Sequence, residues 1–271
     1  MHPIARPKVA RLSTPTLAYD AIAADYDAQV RGDDWMRRIL HSHYARLFRP
    51  GERVLDVGCG TGIDAAFLAE RGIRVLGVDS SAAMIQRLRA KAQLTGVGDL
   101  VESRVLNIQD LDQLHAPPFD GLIAAFASLN TPEHLGAFAE QAARLVRPHG
   151  RLVLHMLNRF SLWEWLGYLA RRDWPAARQV GRLKTREFTI GGQSVPHYVY
   201  FAGEAYRRFF TADFALRGRY GLGALRPPHT VRRIPAPIVR RLEWLDVRTG
   251  HLPLIRDAGR FFVLDLERLP G

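Results

Sequence analysis

The stretch Arg53-Val54-Leu55-Asp56-Val57-Gly58-Cys59-Gly60-Thr61-Gly62 decides the fold of this chain. A short apolar run carrying one acid meets a cluster of glycines. The run reads as a buried strand, and the glycines as a sharp turn from that strand into a helix. Working outward, Ile73 to Asp79 reads as a second strand, and Ser80-Ser81 as the cap of a helix reaching about Leu94. Leu100 to Leu106, Phe119 to Phe126 and Arg151 to Leu157 read as three more strands, with a helix over Pro132 to Leu145. Residues 16–49 carry apolar side chains at helical spacing until Pro50-Gly51 ends them. Strands that alternate with helices require a mostly parallel sheet covered on both faces, an α/β doubly wound fold.

After Asn158 the rhythm changes. Ser161 to Arg171 reads as an aromatic amphipathic helix, and Thr185 to Ile190 with Val195 to Phe201 as a β-hairpin around Gly191-Gly192. A helix near Gly203 to Phe210, a strand near Phe214 to Tyr220, a Pro-rich stretch, a helix ending near Leu245 and a strand over Phe261 to Leu266 complete the chain. The expected organisation is a loose basic tail at 1–15 and one domain over 16–271. Within that domain, 158–205 is an α+β insertion that closes over the carboxyl ends of the sheet.

Composition narrows the class. Of 271 residues 47% are hydrophobic and no period recurs, which excludes repeat, collagen-like and disordered chains. The single cysteine, Cys59, can form neither an internal disulfide nor a cysteine-based zinc site, so a reducing, cytoplasmic setting is expected. No uncharged apolar run is long enough to span a membrane. The net charge of +11 is lopsided: residues 158–271 hold 20 basic and 10 acidic side chains, whereas residues 51–157 are slightly acidic. That basic part reads either as Arg-rich solvated surface or as a face for something anionic, such as a substrate group, a membrane surface or nucleic acid.

In an open parallel sheet the ligand sits beyond the carboxyl ends of the strands. The spacing at Gly58, Gly60 and Gly62 is one residue tighter than a dinucleotide-binding turn, and Asp56 stands just before it. A carboxylate there suits an ammonium group better than a phosphate. Asp79, at the end of the second strand, can accept two ribose hydroxyls. These features describe a ligand with a ribose, no pyrophosphate and a cationic head, which S-adenosylmethionine fits.

Three segments in order carry a resemblance: Val54 to Gly62, Val75-Leu76-Gly77-Val78-Asp79-Ser80-Ser81-Ala82-Ala83-Met84, and Leu145-Val146-Arg147-Pro148-His149-Gly150-Arg151-Leu152-Val153-Leu154. Over roughly residues 16–157 the chain resembles the class I S-adenosylmethionine-dependent methyltransferases of small-molecule type. The resemblance implies a Rossmann-like seven-stranded sheet of order 3-2-1-4-5-7-6 with strand 7 antiparallel. It places Asp56 and the turn Gly58, Cys59, Gly60 and Gly62 at the methionine end, Asp79 and Ser80 at the ribose, and Met84 on the adenine. Asn107-Ile108 stands where the family has an acid followed by an apolar residue facing the adenine amino group. Ala125 and Asn130 belong to the matching end of strand 4, and Tyr19 and Tyr26 to an N-terminal pattern that covers the cofactor.

Several of these residues have plainer readings. Cys59 suits small packing, Asn130 a helix cap, and Tyr19 and Tyr26 helix packing. His155, inside the fifth strand, reads as a buried core histidine before it reads as a base. His197 is the other candidate base, and Trp163, His197, Tyr198 and Tyr200 are candidates for acceptor contact. In-line methyl transfer needs orientation more than a base, and no metal-ligand cluster is legible, so no metal is expected. The expected partner is a small or medium-sized acceptor, anionic or lipid-like in character, methylated on O, N or C. Methylation of RNA or DNA through the basic C-terminal part, and a non-catalytic module that binds cofactor or a membrane surface, are the alternative readings. The sequence does not set an oligomeric state.

Overall fold

The computed structural model describes residues 14–231 and 234–270. All but Thr14 and Pro15 of the expected 1–15 tail lies outside them. The chain runs α1 (Thr14–Ile22), α2 (Tyr26–Val30), α3 (Asp34–Leu47), β1 (Arg53–Val57), α4 (Ile63–Ala69), β2 (Arg74–Asp79), α5 (Ala82–Leu94), β3 (Val101–Val105) and β4 (Phe119–Ala124). It continues through α6 (Leu135–Leu145), β5 (Val146–Leu157), α7 (Leu162–Ala170), α8 (Trp174–Gln179), β6 (Thr185–Ile190) and β7 (Gln193–Tyr198). Last come α9 (Ala202–Ala205), β8 (Phe214–Leu222), α10 (Ala236–Thr249), α11 (Pro253–Arg256) and β9 (Phe261–Arg268).

Seven strands form one sheet of order β3-β2-β1-β4-β5-β9-β8, and β6-β7 form a separate hairpin. The strand β9 runs antiparallel to β5 and β8, and the other pairs from β3 to β5 are parallel. With the hairpin set aside this is the order expected from the sequence. Alternate residues explain why both faces are covered. Val54, Val75, Ile123, Val153 and Val263 pack with Leu40 and Tyr44 of α3 and Leu68 of α4. Their neighbours Leu55, Leu76, Leu122, Leu152 and Leu264 pack with Phe138 and Leu145 of α6 and with Phe210.

Several elements differ from the sequence expectation: β5 begins at Val146, α10 runs on to Thr249, and α8 and α11 are additional short helices. Residues 16–49 do not form one helical run but three helices, with breaks at Ala23–Asp25 and Arg31–Asp33. The breaks let the N-terminal segment bend across the strand ends instead of running along the sheet. The helix expected from Pro132 begins at Leu135, after a 3-10 turn at Ser128–Asn130 and an irregular stretch over 131–134. At the far edge of the sheet, Asp246 of α10 is fully buried. It accepts the backbone N–H groups of Gly223, Ala224 and Leu225 at 2.6, 3.0 and 2.8 Å. This carboxylate clasps the segment after β8 to α10. Among the described residues, no helix is long and apolar enough to cross a membrane.

His155 belongs to the core. Its Nδ1 accepts the N–H of Phe126 at 3.2 Å, its ring stacks on Phe261 at 4.5 Å, and its Nε2 has no partner among the described residues. Burial, and then the positive charge of Arg37, push its imidazole down to about 3. An unfolded chain takes up that proton near pH ~6.5, while the folded chain stays neutral. The stability this histidine contributes is complete above that value and is lost as pH falls through the window down to about 3. Between pH 7 and 5, wild type should lose about 2 kcal/mol more than His155→Gln does. Urea denaturation at both pH values measures this, and parallel losses in the two proteins would refute it.

Candidate functional site

The cleft begins at the turn between β1 and α4. Gly58 and Gly60 have φ of +68° and +52°, in the left-handed region. The N–H groups of Gly58 and Cys59 both donate to the carbonyl of Val78, at 2.8 and 3.1 Å. A Cβ at Gly58 would lie 2.3 Å from that of Ser128, whose hydroxyl donates to the Val57 carbonyl. Only glycine fits there. The turn is therefore pressed between the ends of β2 and β4 with its bare backbone toward the cleft.

Asp79 ends β2. One oxygen accepts the N–H of Gly60 and the other that of Ser81, each at 2.9 Å. Burial pushes its carboxyl above the usual range, and the two N–H groups hold it down. Each oxygen keeps a lone pair for a ligand. Ser81 caps α5 by accepting the Met84 N–H at 3.0 Å, so Met84 sits at the start of the helix beside Asp79.

The N-terminal helices cover the turn and are anchored at two points. Asp20 of α1 accepts the Ser81 hydroxyl at 2.5 Å and the Ala83 N–H at 3.1 Å. Asp27 of α2 accepts the Thr61 hydroxyl at 2.5 Å and pairs with Lys91 at 2.7 Å. Between the anchors, the rings of Tyr19 and Tyr26 meet edge to face at 6.5 Å. Burial raises both phenols, Tyr26 to about 12, so both are neutral donors at ordinary pH.

The resulting cleft has a volume of about 320 Å³. It gathers Tyr19, Tyr26, Gly58, Gly60, Asp79, Ser80, Met84, Asn107, Ile108 and Ala125 from the sequence candidates, with Tyr198 of the hairpin across from them. Among the described residues its titratable lining, apart from tyrosines, is two carboxylates, Asp79 and Glu133, without Lys, Arg or His. A narrow extension of about 20 Å³ runs from Gly58 and Gly60 toward Arg37. Arg37 is buried, forms an ion pair with Asp64, and lies 4.1 Å over the Phe126 ring. Asp64 also meets His41 at 2.7 Å. Burial opposes its charge, but Arg37 and His41 hold its carboxyl down to about 2.

Other candidates stand elsewhere. Asp56 is buried on the α3 side of the sheet, where burial and the charge of Asp64 push its carboxyl well up, and it does not line the cleft. Cys59 borders only the narrow extension and packs toward Gly77, where an added Cβ would lie 3.0 Å from its sulfur. Gly62 packs under Leu88. Asn130 is a structural tie: its Oδ1 accepts the Leu157 N–H at 2.9 Å and its amide donates to the Tyr198 carbonyl at 2.6 Å. His197 is buried, hydrogen-bonds the Val195 carbonyl and meets Phe188 edge-on, and burial lowers its imidazole. Tyr200 packs edge-on against Phe209. Trp163 lines a separate cavity described below. The sequence reading did not single out Arg37 or Asp64 for the site, and met Phe126 and Ser128 only as part of the matching strand-4 end. Arg37 lies on a helix remote from the glycine turn, and no local spacing links them.

Comparison with known proteins agrees with this geometry. Residues 54–150 match a family described as a methyltransferase domain. Demethylmenaquinone methyltransferase of Symbiobacterium thermophilum is 30% identical over 198 residues, covering 66% of this chain and 76% of that protein. Ubiquinone biosynthesis O-methyltransferase of Alkalilimnicola ehrlichii is 36% identical over 109 residues, 40% of this chain and 43% of that one. The CcbJ methyltransferase of Streptomyces caelestis shares the fold, with a TM-score of 0.61 at 21% identity over 94% of this chain and 99% of its own. With this sheet order, this glycine turn and a relative matched over three quarters of its length, the chain belongs to the class I S-adenosylmethionine-dependent methyltransferases.

Proposed function

We propose that the cleft holds S-adenosylmethionine, with its nucleoside against Asp79, Ser80, Met84, Asn107 and Ile108 and its methionine end in the extension toward Arg37, and that the methyl group passes to a small-molecule acceptor. The observation that carries this reading is Asp79. Its carboxylate is held at the mouth of a glycine turn, in a cleft whose other charged side chain among the described residues is also an acid. Such a lining favours a cationic nucleoside and disfavours a phosphate. The relatives named for demethylmenaquinone and ubiquinone biosynthesis support a small-molecule acceptor. Nucleic acid is less well served. In the basic C-terminal part Arg159, Arg186, Arg217, Arg226, Arg256, Arg260 and Arg268 are each paired with a carboxylate. In this reading residues 16–271 act as one domain, with 158–205 as its cap.

When bound, S-adenosylmethionine would supply a methyl group on a sulfonium to a lone pair of the acceptor, with the neutral thioether as the leaving group. The protein's part is to orient and to dry. Asp79 accepts the ribose hydroxyls, and Asn107 and Met84 bound the adenine. Asn107 keeps its carbonyl on the Gln109 N–H at 3.0 Å, which fixes the side chain at the cleft wall. Arg37 takes the carboxylate of the amino acid end, already squared by Asp64 and His41. Tyr19 and Tyr26 cover the reacting end and limit water there. A proton released by an O–H or N–H acceptor goes to solvent or to Glu133, an exposed carboxylate on the wall.

Two outcomes test the assignment. Calorimetry with S-adenosylhomocysteine should show Asp79→Ala binding about ten- to a hundredfold more weakly, the loss expected for hydrogen bonds to a charged group; unchanged affinity would remove the ribose role. Arg37→Ala should weaken S-adenosylhomocysteine about tenfold or more. It should leave 5′-methylthioadenosine, which lacks the amino acid, nearly unaffected. Equal losses for both ligands would show that Arg37 supports the fold and does not read the carboxylate.

A further inference from the structure

A second and larger cavity, of about 800 Å³, lies on the other side of the hairpin from the cleft. It is bounded by α3, α7, α8, β6 and the segment 223–231. That volume is toward the upper end of ligand sites, ~300–1,000 Å³. Trp35, Met36, Leu157, Trp163, Tyr168 and Phe188 supply an apolar, largely aromatic wall. The indole N–H groups of Trp35 and Trp163 are buried there with no acceptor among the described residues. Most charges on the wall are already spent. Arg186 pairs with Glu164, Arg226 with Glu243 and Arg260 with Asp33. Arg171 differs: it is exposed, lies 5.1 Å from the Tyr168 ring centre, and makes no ion pair among the described residues. The cavity therefore presents an aromatic wall with one cation, Arg171, and one carboxylate, Glu187, that make no ion pair among the described residues.

Among the described residues the cavity and the cleft share no lining residue, and chain neighbours relate them near Phe126. This residue lines the cleft and its extension. Its ring is covered by Arg37 and lies 6.3 Å from that of Phe261. Met36 and Arg260, the chain neighbours of Arg37 and Phe261, line the cavity. Phe126 and Ala127 also take φ of +50° and +68°, left-handed conformations that side chains disfavour. Phe126 thus meets the cleft on a strained stretch of backbone.

We propose that this cavity holds the body of the methyl acceptor. The acceptor class is a molecule with an extended aromatic or apolar frame and an acidic group that pairs with Arg171, its reactive end meeting the methyl group past Phe126. The proposal rests on the cofactor reading above. It explains why the cleft sits beside a space more than twice as large, and why that space carries a guanidinium with no ion pair among the described residues.

The test uses 8-anilinonaphthalene-1-sulfonate, a probe with fused rings and one sulfonate, on the whole protein saturated with S-adenosylhomocysteine. Fluorescence titration should show Arg171→Ala weakening the probe at least fivefold, while Arg172→Ala, on the adjacent exposed arginine, stays within twofold. Val180→Trp, which fills the cavity, should weaken the probe at least tenfold. The same variant should cut labelled methyl transfer from S-adenosylmethionine to the small molecules of a source extract by the same order, with S-adenosylhomocysteine affinity unchanged. Ala176→Trp serves if Val180→Trp does not melt cooperatively. Probe binding equal in wild type and both filled variants, or methyl transfer that survives the filling, would overturn the proposal. If wild type fails to bind S-adenosylhomocysteine, the cofactor reading falls first and the acceptor assignment falls with it.

Discussion

Asp79 accepts one N–H from the turn after β1 and one from the turn after β2. A single carboxylate thereby fixes how the two central strand ends stand relative to each other. The glycine backbone can then lie flat against β2, Ser81 is placed to cap α5, and the same serine receives Asp20 from the N-terminal helices. Removing that carboxylate would leave two backbone donors at a buried turn without partners, at a cost of about 1–3 kcal/mol each. The floor of the cleft and its cover are thus positioned through one side chain, whose remaining lone pairs face the ligand space.

Electrostatics divides the molecule more finely than its net charge. Two carboxylates line the cleft, and Arg37 meets it only through the narrow extension, with Asp64 as its counter-ion. Across the hairpin the larger cavity carries arginines, most of them neutralised by local acids. The +10 surplus of residues 158–271 is therefore not one continuous basic face. Ion pairs hold the insertion and the last strands in place, and six of the seven arginines named above pair with acids of the same stretch, so the surplus itself rests on the other basic residues.

Much of the fold was legible because it depends on local pattern. Val54, Leu55 and Val57 announce a buried strand, Gly58 to Gly62 its exit turn, and Asp79 the end of the next strand. The alternation of strand and helix then leaves few topologies. What was not legible depends on contacts far apart in the chain. Asp56 alternates with Leu55 and Val57, so its side chain lies on the α3 side of the sheet, away from the cleft. Nothing local joins Asp56 to Arg37. Tyr19 and Tyr26 face one cleft only because the chain bends between α1 and α2. Asn130 carried the sequence signal of a cap, yet its amide spans β5 and the hairpin. The large cavity is assembled from residues near 35, 157–188, 223–231 and 260, which no spacing rule relates.

The clasp at Asp246 has a bearing on how this scaffold can diversify. With three backbone N–H groups on one buried carboxylate, the 223–225 side of the large cavity is pinned to α10. The opposite side is built from short helices and a two-stranded ribbon outside the main sheet. Substitutions between 162 and 188 can reshape that side without touching Asp79 or the glycine bend. On the proposal that the large cavity holds the acceptor, selectivity and the grip on the nucleoside are separately tunable.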